Sequence, residues 1–172
     1  MIKSRNKISY LIKSKNPTII TIDLINEVAT HHLAKLLTSA VTVGDIIALK
    51  GDLGSGKTSF IRAFIRALIK TNEYIPSPTF TFVQSYECTI GKICHFDLYR
   101  LKKPQDALEL GLEEAFANSI SLIEWSDRLG SNWLPVNHLA ISLSIIDNQK
   151  ARRVSLTGSE IWIYRLEKLF CD

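Results

Sequence analysis

The sequence predicts a single α/β domain built on a central, mainly parallel mixed sheet. Two observations lead there. Short β-branched and apolar runs alternate with segments of helical spacing along most of the chain, the order in which strands and crossover helices build a parallel sheet. One such strand and helix are joined by the glycine-rich stretch GDLGSGKT at 51–58, a loop pattern found at strand-to-helix junctions that bind phosphate. The 172 residues suit one domain with one core, and no repeat or low-complexity linker divides them.

The elements follow in order. TIITIDL (18–24) is β-branched and strand-like. INEVATHHLAKLLTSA (25–40) has helical spacing, with Val28, Leu33, Leu36 and Leu37 expected on one face. GDIIALKG (44–51) is nearly all apolar, as a strand covered on both sides should be. KTSFIRAFIRALIK (57–70) is a helix with Phe60, Phe64, Ala67 and Leu68 as its apolar side. Arg62, Arg66 and Lys70 recur every four residues on another side, a solvated face able to add electrostatic steering. IPSPTF (75–80) is a loop restrained by its prolines. TFTFVQSYE (79–87) and KICHFDLYR (92–100), joined around Gly91, predict an antiparallel hairpin after the first long helix. PQDALELGLEEAFA (104–117) is a helix opened by proline. ISLIEW (120–125) is a further apolar strand, HLAISLSII (138–146) and RRVSLTG (152–158) a second strand pair, and SEIWIYRLEKLF (159–170) a closing helix.

Composition narrows the setting. An apolar fraction of 46% and a charged fraction of 22% are ordinary for a soluble globular chain, and no apolar run is long enough to span a bilayer. The net charge is +4, much of it from Lys3, Arg5, Lys7, Lys13 and Lys15. These make residues 1–17 a basic extension, expected as a disordered or docking tail, ahead of a domain at 18–172. The extension has no apolar segment of the kind a secretory signal needs. Cys88, Cys94 and Cys171 are odd in number and form no CxxC pair, which fits a reduced, cytoplasmic compartment. Cys94 and His95 are read as two strand residues, since no second ligand pair stands at zinc spacing.

The chemistry is concentrated at 51–58, which matches G-x-x-x-x-G-K-[ST] in full. Glycines let the backbone approach phosphate and take positive φ. The N–H groups of Gly54, Ser55, Gly56 and Lys57 are expected to form an anion nest at a helix N-terminus. The Lys57 ammonium should reach the outer phosphates, and the Thr58 hydroxyl should ligate Mg²⁺. The expected nucleotide-binding set is Gly51, Asp52, Leu53, Gly54, Ser55, Gly56, Lys57, Thr58 and Ser59, with Trp125 covering the site. Mg²⁺ takes few ligands from protein and wants oxygen. Two strand-end acids are candidates: Glu124, closing SLIEW, is the first choice for the metal, and Asp97, in CHFDLYR, is the second, orienting water or assisting the metal. DRLG at 127–130 fits a GTPase pattern, but no Asn-Lys-x-Asp segment is present to read guanine, so ATP is the expected nucleotide.

Taken in order, GDLGSGKT, SPTFTFVQSY, HFDLYRL, LGLEEAF and LIEW resemble the TsaE (YjeE) family of small bacterial P-loop ATPases over residues 20 to 157. That family assists synthesis of N6-threonylcarbamoyladenosine in tRNAs that read codons beginning with A. The resemblance implies a P-loop NTPase domain with a hairpin after the P-loop helix. It implies that Lys57 and Thr58 serve phosphate and Mg²⁺, and that Ser77, Pro78, Thr79 and Phe80 form a switch-like loop facing the γ-phosphate. It puts Asp97 on the family's functional aspartate, Glu124 on its metal-binding glutamate and Trp125 beside the nucleotide. Asp97, Glu124 and Thr79 thus become the expected catalytic residues. Ser55 stands where alanine is usual, and Ser126 where proline is common. The implied partners are a threonylcarbamoyl transferase subunit and its inactive paralogue, with tRNA engaged through the complex. ATP hydrolysis, slow in the isolated chain, would reset that complex. Two other readings remain open at this point. A small nucleoside kinase would need an arginine-rich lid, where residues 100 to 135 offer only Arg100 and Arg128. A nucleotide-gated binding module would need no hydrolysis.

Overall fold

A computed structural model describes residues 11–13, 19–130, 132–147 and 151–171. Among the described residues eight strands form one mixed sheet in the order β1-β2-β8-β7-β3-β6-β5-β4. They are β1 (Leu11–Lys13), β2 (Ile19–Leu24), β3 (Ile46–Lys50), β4 (Val83–Cys88), β5 (Gly91–Asp97), β6 (Ser119–Glu124), β7 (Leu139–Ile146) and β8 (Ala151–Thr157). The centre is parallel: β3 pairs with β6 and β7, and β5 pairs with β6. Antiparallel ladders extend it on both sides, including the expected hairpin of β4 with β5. Within the basic extension, Leu11–Lys13 adds a strand to β2; residues 1–10 and 14–18 lie outside the described residues. No helix of the described residues is long and apolar enough to cross a membrane.

The helices are α1 (Glu27–Leu37), α2 (Lys57–Ile69), α3 (Leu112–Asn118) and α4 (Glu160–Cys171). Asn26 caps α1, its Oδ1 accepting from the Ala29 N–H at 2.9 Å. Thr30, Leu33, Ala34 and Leu37 form its buried face, and Val28 is 73% exposed. Val28 precedes Leu33 by five residues, about 140° round a helix of 3.6 residues per turn, so the two cannot share a face. On α2 the buried apolar set is Phe60, Ile61, Phe64, Ile65 and Leu68; Ala67, expected on the apolar side, is only half-buried. The helix expected over 104–117 is broken. Pro104–Leu110 is a 3₁₀ segment, Gly111 turns left-handed at φ 70°, and α3 starts only at Leu112. A glycine in that conformation ends one helical run and sets the direction of the next.

The sheet separates two apolar clusters. One joins Ile47, Leu49, Ile93, Ile120 and Leu122 to α1, α2 and α4. The other joins Ile46, Cys94, Phe96 and Ile123 to the 3₁₀ segment and α3. Side chains alternate between faces along a strand. His95 and Asp97 therefore follow Ile93 onto the α2 side, and Glu124 follows Ile120 and Leu122 there. Register then sets the acids side by side, because Asp97 and Glu124 are Cα partners in the β5–β6 ladder. Cys94 and His95 point to opposite faces and cannot share one ligand.

Candidate functional site

The C-terminal ends of β3 and β6 open into a cavity of about 510 Å³. It is bounded by Asn26, Glu27 and Thr30 of the α1 entrance, by Leu53, Gly54, Gly56, Lys57, Thr58 and Ser59, and by Glu124, Trp125 and Arg152. Ligands bind at such strand ends in open α/β sheets.

The loop from β3 to α2 has backbone that only glycine supplies readily. Gly51 has φ 142°, and a Cβ there would lie 2.2 Å from the Leu143 carbonyl oxygen of β7. Gly56, at φ 104°, is the N-cap residue of α2, and its carbonyl accepts from Phe60 N at 2.9 Å. The first-turn N–H groups of α2 thus open toward the cavity with the positive end of the helix dipole. Lys57 is only 4% exposed. Its Nζ donates to Gly51 O at 2.7 Å and Asp52 O at 2.9 Å, and lies 3.6 Å from the centroid of the Trp125 ring. Burial pushes the ammonium below its ordinary pKa, while the charges of Glu124, Asp127, Asp97 and Asp52 work against that shift. Trp125 takes a left-handed backbone, φ 57°, a costly conformation for a bulky residue. That turn lays its ring between Lys57 and Tyr99, whose ring centroid is 5.0 Å away.

Two hydroxyl–carboxylate pairs end the adjacent strands. Thr58 Oγ1 donates to Glu124 Oε2 at 2.6 Å. One strand over, Asp97 Oδ2 accepts from Ser77 Oγ at 3.0 Å and from Thr79 Oγ1, while its Oδ1 accepts from the Tyr99 N–H at 3.0 Å. Thr58 and Glu124, from opposite ends of the sequence pattern, meet at the cavity. Thr79 does not border the cavity; its hydroxyl is turned onto Asp97. Within the phosphate loop, Gly51 and Asp52 face Lys57 with their carbonyls, and the Ser55 side chain is buried. Ser126 Oγ donates to Leu49 O at 3.2 Å, tying the turn after β6 to the end of β3.

Several contributors were not legible in the sequence. His95 Nε2 lies 3.0 Å from Glu124 Oε1; its two-residue spacing from Asp97 was the available signal. Arg152 of β8 donates to Ser55 O and Gly54 O, each at 3.1 Å, bracing the phosphate loop from 97 and 98 residues away. Ser59 Oγ donates to Glu27 Oε1 at 2.6 Å and sits 2.8 Å from His31 Nε2, fastening α1 to α2. That hydroxyl holds the Glu27 carboxyl below its usual range. The basic stripe is structural in part. Arg62 Nε donates to Ile75 O at 2.7 Å and Arg66 Nε to Glu73 O at 3.1 Å, anchoring the segment that enters the Ser77–Phe80 loop.

The family model described as threonylcarbamoyl adenosine biosynthesis protein TsaE matches residues 24–154. The chain belongs to the TsaE family. A relative in Rickettsia felis, named tRNA threonylcarbamoyladenosine biosynthesis protein TsaE, is 41% identical over 79% of this chain and 79% of its own length. A Bacillus subtilis protein of the same name is 36% identical over 68% of this chain and 72% of its own. A crystal structure of Bacillus subtilis YdiB superposes with a TM-score of 0.74 at 26% identity, covering 91% of this chain and 97% of that one. The matched stretch contains every residue that bounds the cavity, from Asn26 to Arg152, and the chain is a P-loop α/β domain with the β4–β5 hairpin at one edge of its sheet.

Proposed function

We propose that this chain acts in tRNA threonylcarbamoyladenosine biosynthesis as a cytoplasmic Mg-ATPase that resets a threonylcarbamoyl transferase and its inactive paralogue. The pathway follows from family membership; the chemistry is read from the site. The observation that carries it is the Thr58–Glu124 contact at the N-terminus of α2, where two oxygen donors converge beside a glycine-built anion nest.

The donor set fits Mg²⁺. It is all oxygen and small, as suits an ion that keeps water and phosphate ligands. Among the described residues no group of three His, Cys, Asp or Glu side chains would hold a metal alone, so phosphates would complete the shell. Thr58 Oγ1 and Glu124 Oε2 are the residues that would hold the ion, which supplies charge neutralisation on the transferring phosphate.

The rest of the chemistry belongs to the chain. The N–H groups of the loop and of the α2 N-terminus receive phosphate oxygens. Lys57 exchanges the carbonyls of Gly51 and Asp52 for the outer phosphates. Asp97, released from Ser77 or Thr79, would orient an attacking water. Its hold on Ser77 and Thr79 ties the switch-like loop to the strand end, and the loop leaves Phe80 81% exposed beside the Arg100 guanidinium. A γ-phosphate that drew Thr79 from Asp97 would rearrange this loop and alter the surface offered to a partner. If the partner prefers the ATP form, ATP must strengthen partner binding by the same factor.

The test is ATP hydrolysis measured alone and with the transferase pair, alongside co-elution in ATP, in ADP and without nucleotide. Stimulation by the pair and nucleotide-dependent association are expected. Hydrolysis in the mixture that Glu124→Gln leaves intact, with association indifferent to nucleotide, would overturn the reading. Transfer of phosphate to a nucleoside would instead favour a kinase.

A further inference from the structure

We infer that His95 is a positioning residue for Glu124: from within the core it holds one carboxylate oxygen so that the other stands at the Thr58 hydroxyl. It thereby sets how strongly the site takes Mg²⁺ with ATP. The inference rests on the reading above, in which Thr58 and Glu124 take the metal.

Both partners are withdrawn from solvent, the His95 side chain 0% and the Glu124 side chain 1% exposed. A buried carboxylate needs donors for both oxygens. Glu124 has one for each: His95 Nε2 at 3.0 Å from Oε1, and Thr58 Oγ1 at 2.6 Å from Oε2. A carboxylate that ligates a metal only accepts, so in that role Glu124 takes its hydrogen bond from His95 Nε2. With Oε1 engaged, rotation of the carboxylate is restricted and Oε2 stays toward the cavity. The neighbouring acid does not compete for the imidazole, because Asp97 has its own donors in Ser77, Thr79 and the Tyr99 N–H.

A second observation separates positioning from filling. His95 Nδ1 is buried with no hydrogen-bond partner among the described residues. An apolar side chain in the α2-side cluster would fill the space without stranding a nitrogen. Tolerating that orphan is explicable when the opposite nitrogen has a task. Hydrogen-bonded partners of ligating carboxylates typically contribute tenfold to hundredfold in metal affinity or activity.

Asparagine and glutamine at this position make the test. The glutamine amide nitrogen reaches the place of Nε2, whereas asparagine reaches only that of Nδ1 and leaves Glu124 Oε1 without its donor. The full chain is titrated calorimetrically with ATP in EDTA, and then with Mg²⁺ at fixed ATP. His95→Asn is expected to bind metal-free ATP like the wild type and to need roughly 10–100-fold more Mg²⁺ for half-maximal effect. His95→Gln is expected to recover most of that loss. If His95→Asn does not fold, His95→Phe, with a ring and no donor, carries the same expectation. Equal Mg²⁺ requirement in wild type, His95→Asn and His95→Gln overturns the inference, as does an equal loss in both amide variants. Wild-type binding indifferent to Mg²⁺, or unaltered by Glu124→Gln, overturns the metal reading and this inference together.

Discussion

Replacing Gly51 with alanine should damage both stability and nucleotide binding, whereas the same change at Gly54 should do little to stability. At Gly51 the backbone has φ 142°, and the new Cβ would meet Leu143 O at 2.2 Å and Ser55 Oγ at 2.9 Å. The carbonyl belongs to Leu143 of β7, which pairs with Val154 of β8 and directly follows the last residue of the β3 ladder, Ser142, so it cannot retreat without straining the sheet. At Gly54 φ is 77° and nothing lies within 4 Å of a Cβ. Forcing a non-glycine residue into sparsely populated backbone costs about 1–3 kcal/mol. Gly54→Ala should sit at the low end of that range. Gly51→Ala adds a backbone clash and should reach ~3 kcal/mol or more, which for a domain of this size corresponds to a Tm lowered by about 6–12 °C. Displacing Gly51 also shifts the start of the loop whose N–H groups should receive phosphate, so ATP affinity should fall with it. Thermal melts of the three proteins, followed by ATP titration of each below its transition, decide the matter. Equal melting and equal ATP affinity for the two alanine variants would refute the idea that contact with β7 shapes the loop.

Three further outcomes follow from the site. Lys57→Ala should weaken ATP binding by roughly 1.5 kcal/mol, the lower end for a charged hydrogen bond, because the ammonium gives up the carbonyls of Gly51 and Asp52 to reach phosphate; unchanged affinity by calorimetry would count against the assignment. Burial lowers the Lys57 pKa from its ordinary value, and bound phosphate should raise it again. Between the lowered value of the free chain and the raised value of the complex, binding takes up a proton, so ATP affinity should decline as pH rises through that window; calorimetry in buffers of different ionisation heat reads the uptake, which Lys57→Arg should abolish. Asp97→Asn removes the charge that accepts from Ser77 and Thr79, and should reduce hydrolysis while changing Mg²⁺ affinity less than Glu124→Gln does. A larger Mg²⁺ effect at Asp97 would reverse the roles of the two acids.

What was legible in the sequence was local. The loop at 51–58 announces itself because its chemistry lies in eight consecutive residues, between a strand and a helix with their own periodicities. The hairpin, the buried strand 119–124 and the closing helix were readable for the same reason. The break at Gly111 was not, since apolar spacing continued through it, and only the left-handed backbone there shows that the run is two elements. Val28 lies off the buried face by helix geometry alone, about 140° round from Leu33, and not through any tertiary effect.

The arrangement around Glu124 was decided by tertiary structure alone. Its partners Thr58 and His95 lie 66 and 29 residues away, and Arg152 reaches the phosphate loop across 97. Spacing along a chain carries no information about such pairs. They exist because parallel register puts Asp97 opposite Glu124, and strand alternation turns His95 and both acids to the side where α2 begins. The sequence by itself determined which groups could do the chemistry. Which carboxylate faces Thr58, and what holds it there, depended on how the strands are ordered in the sheet and which face each residue presents.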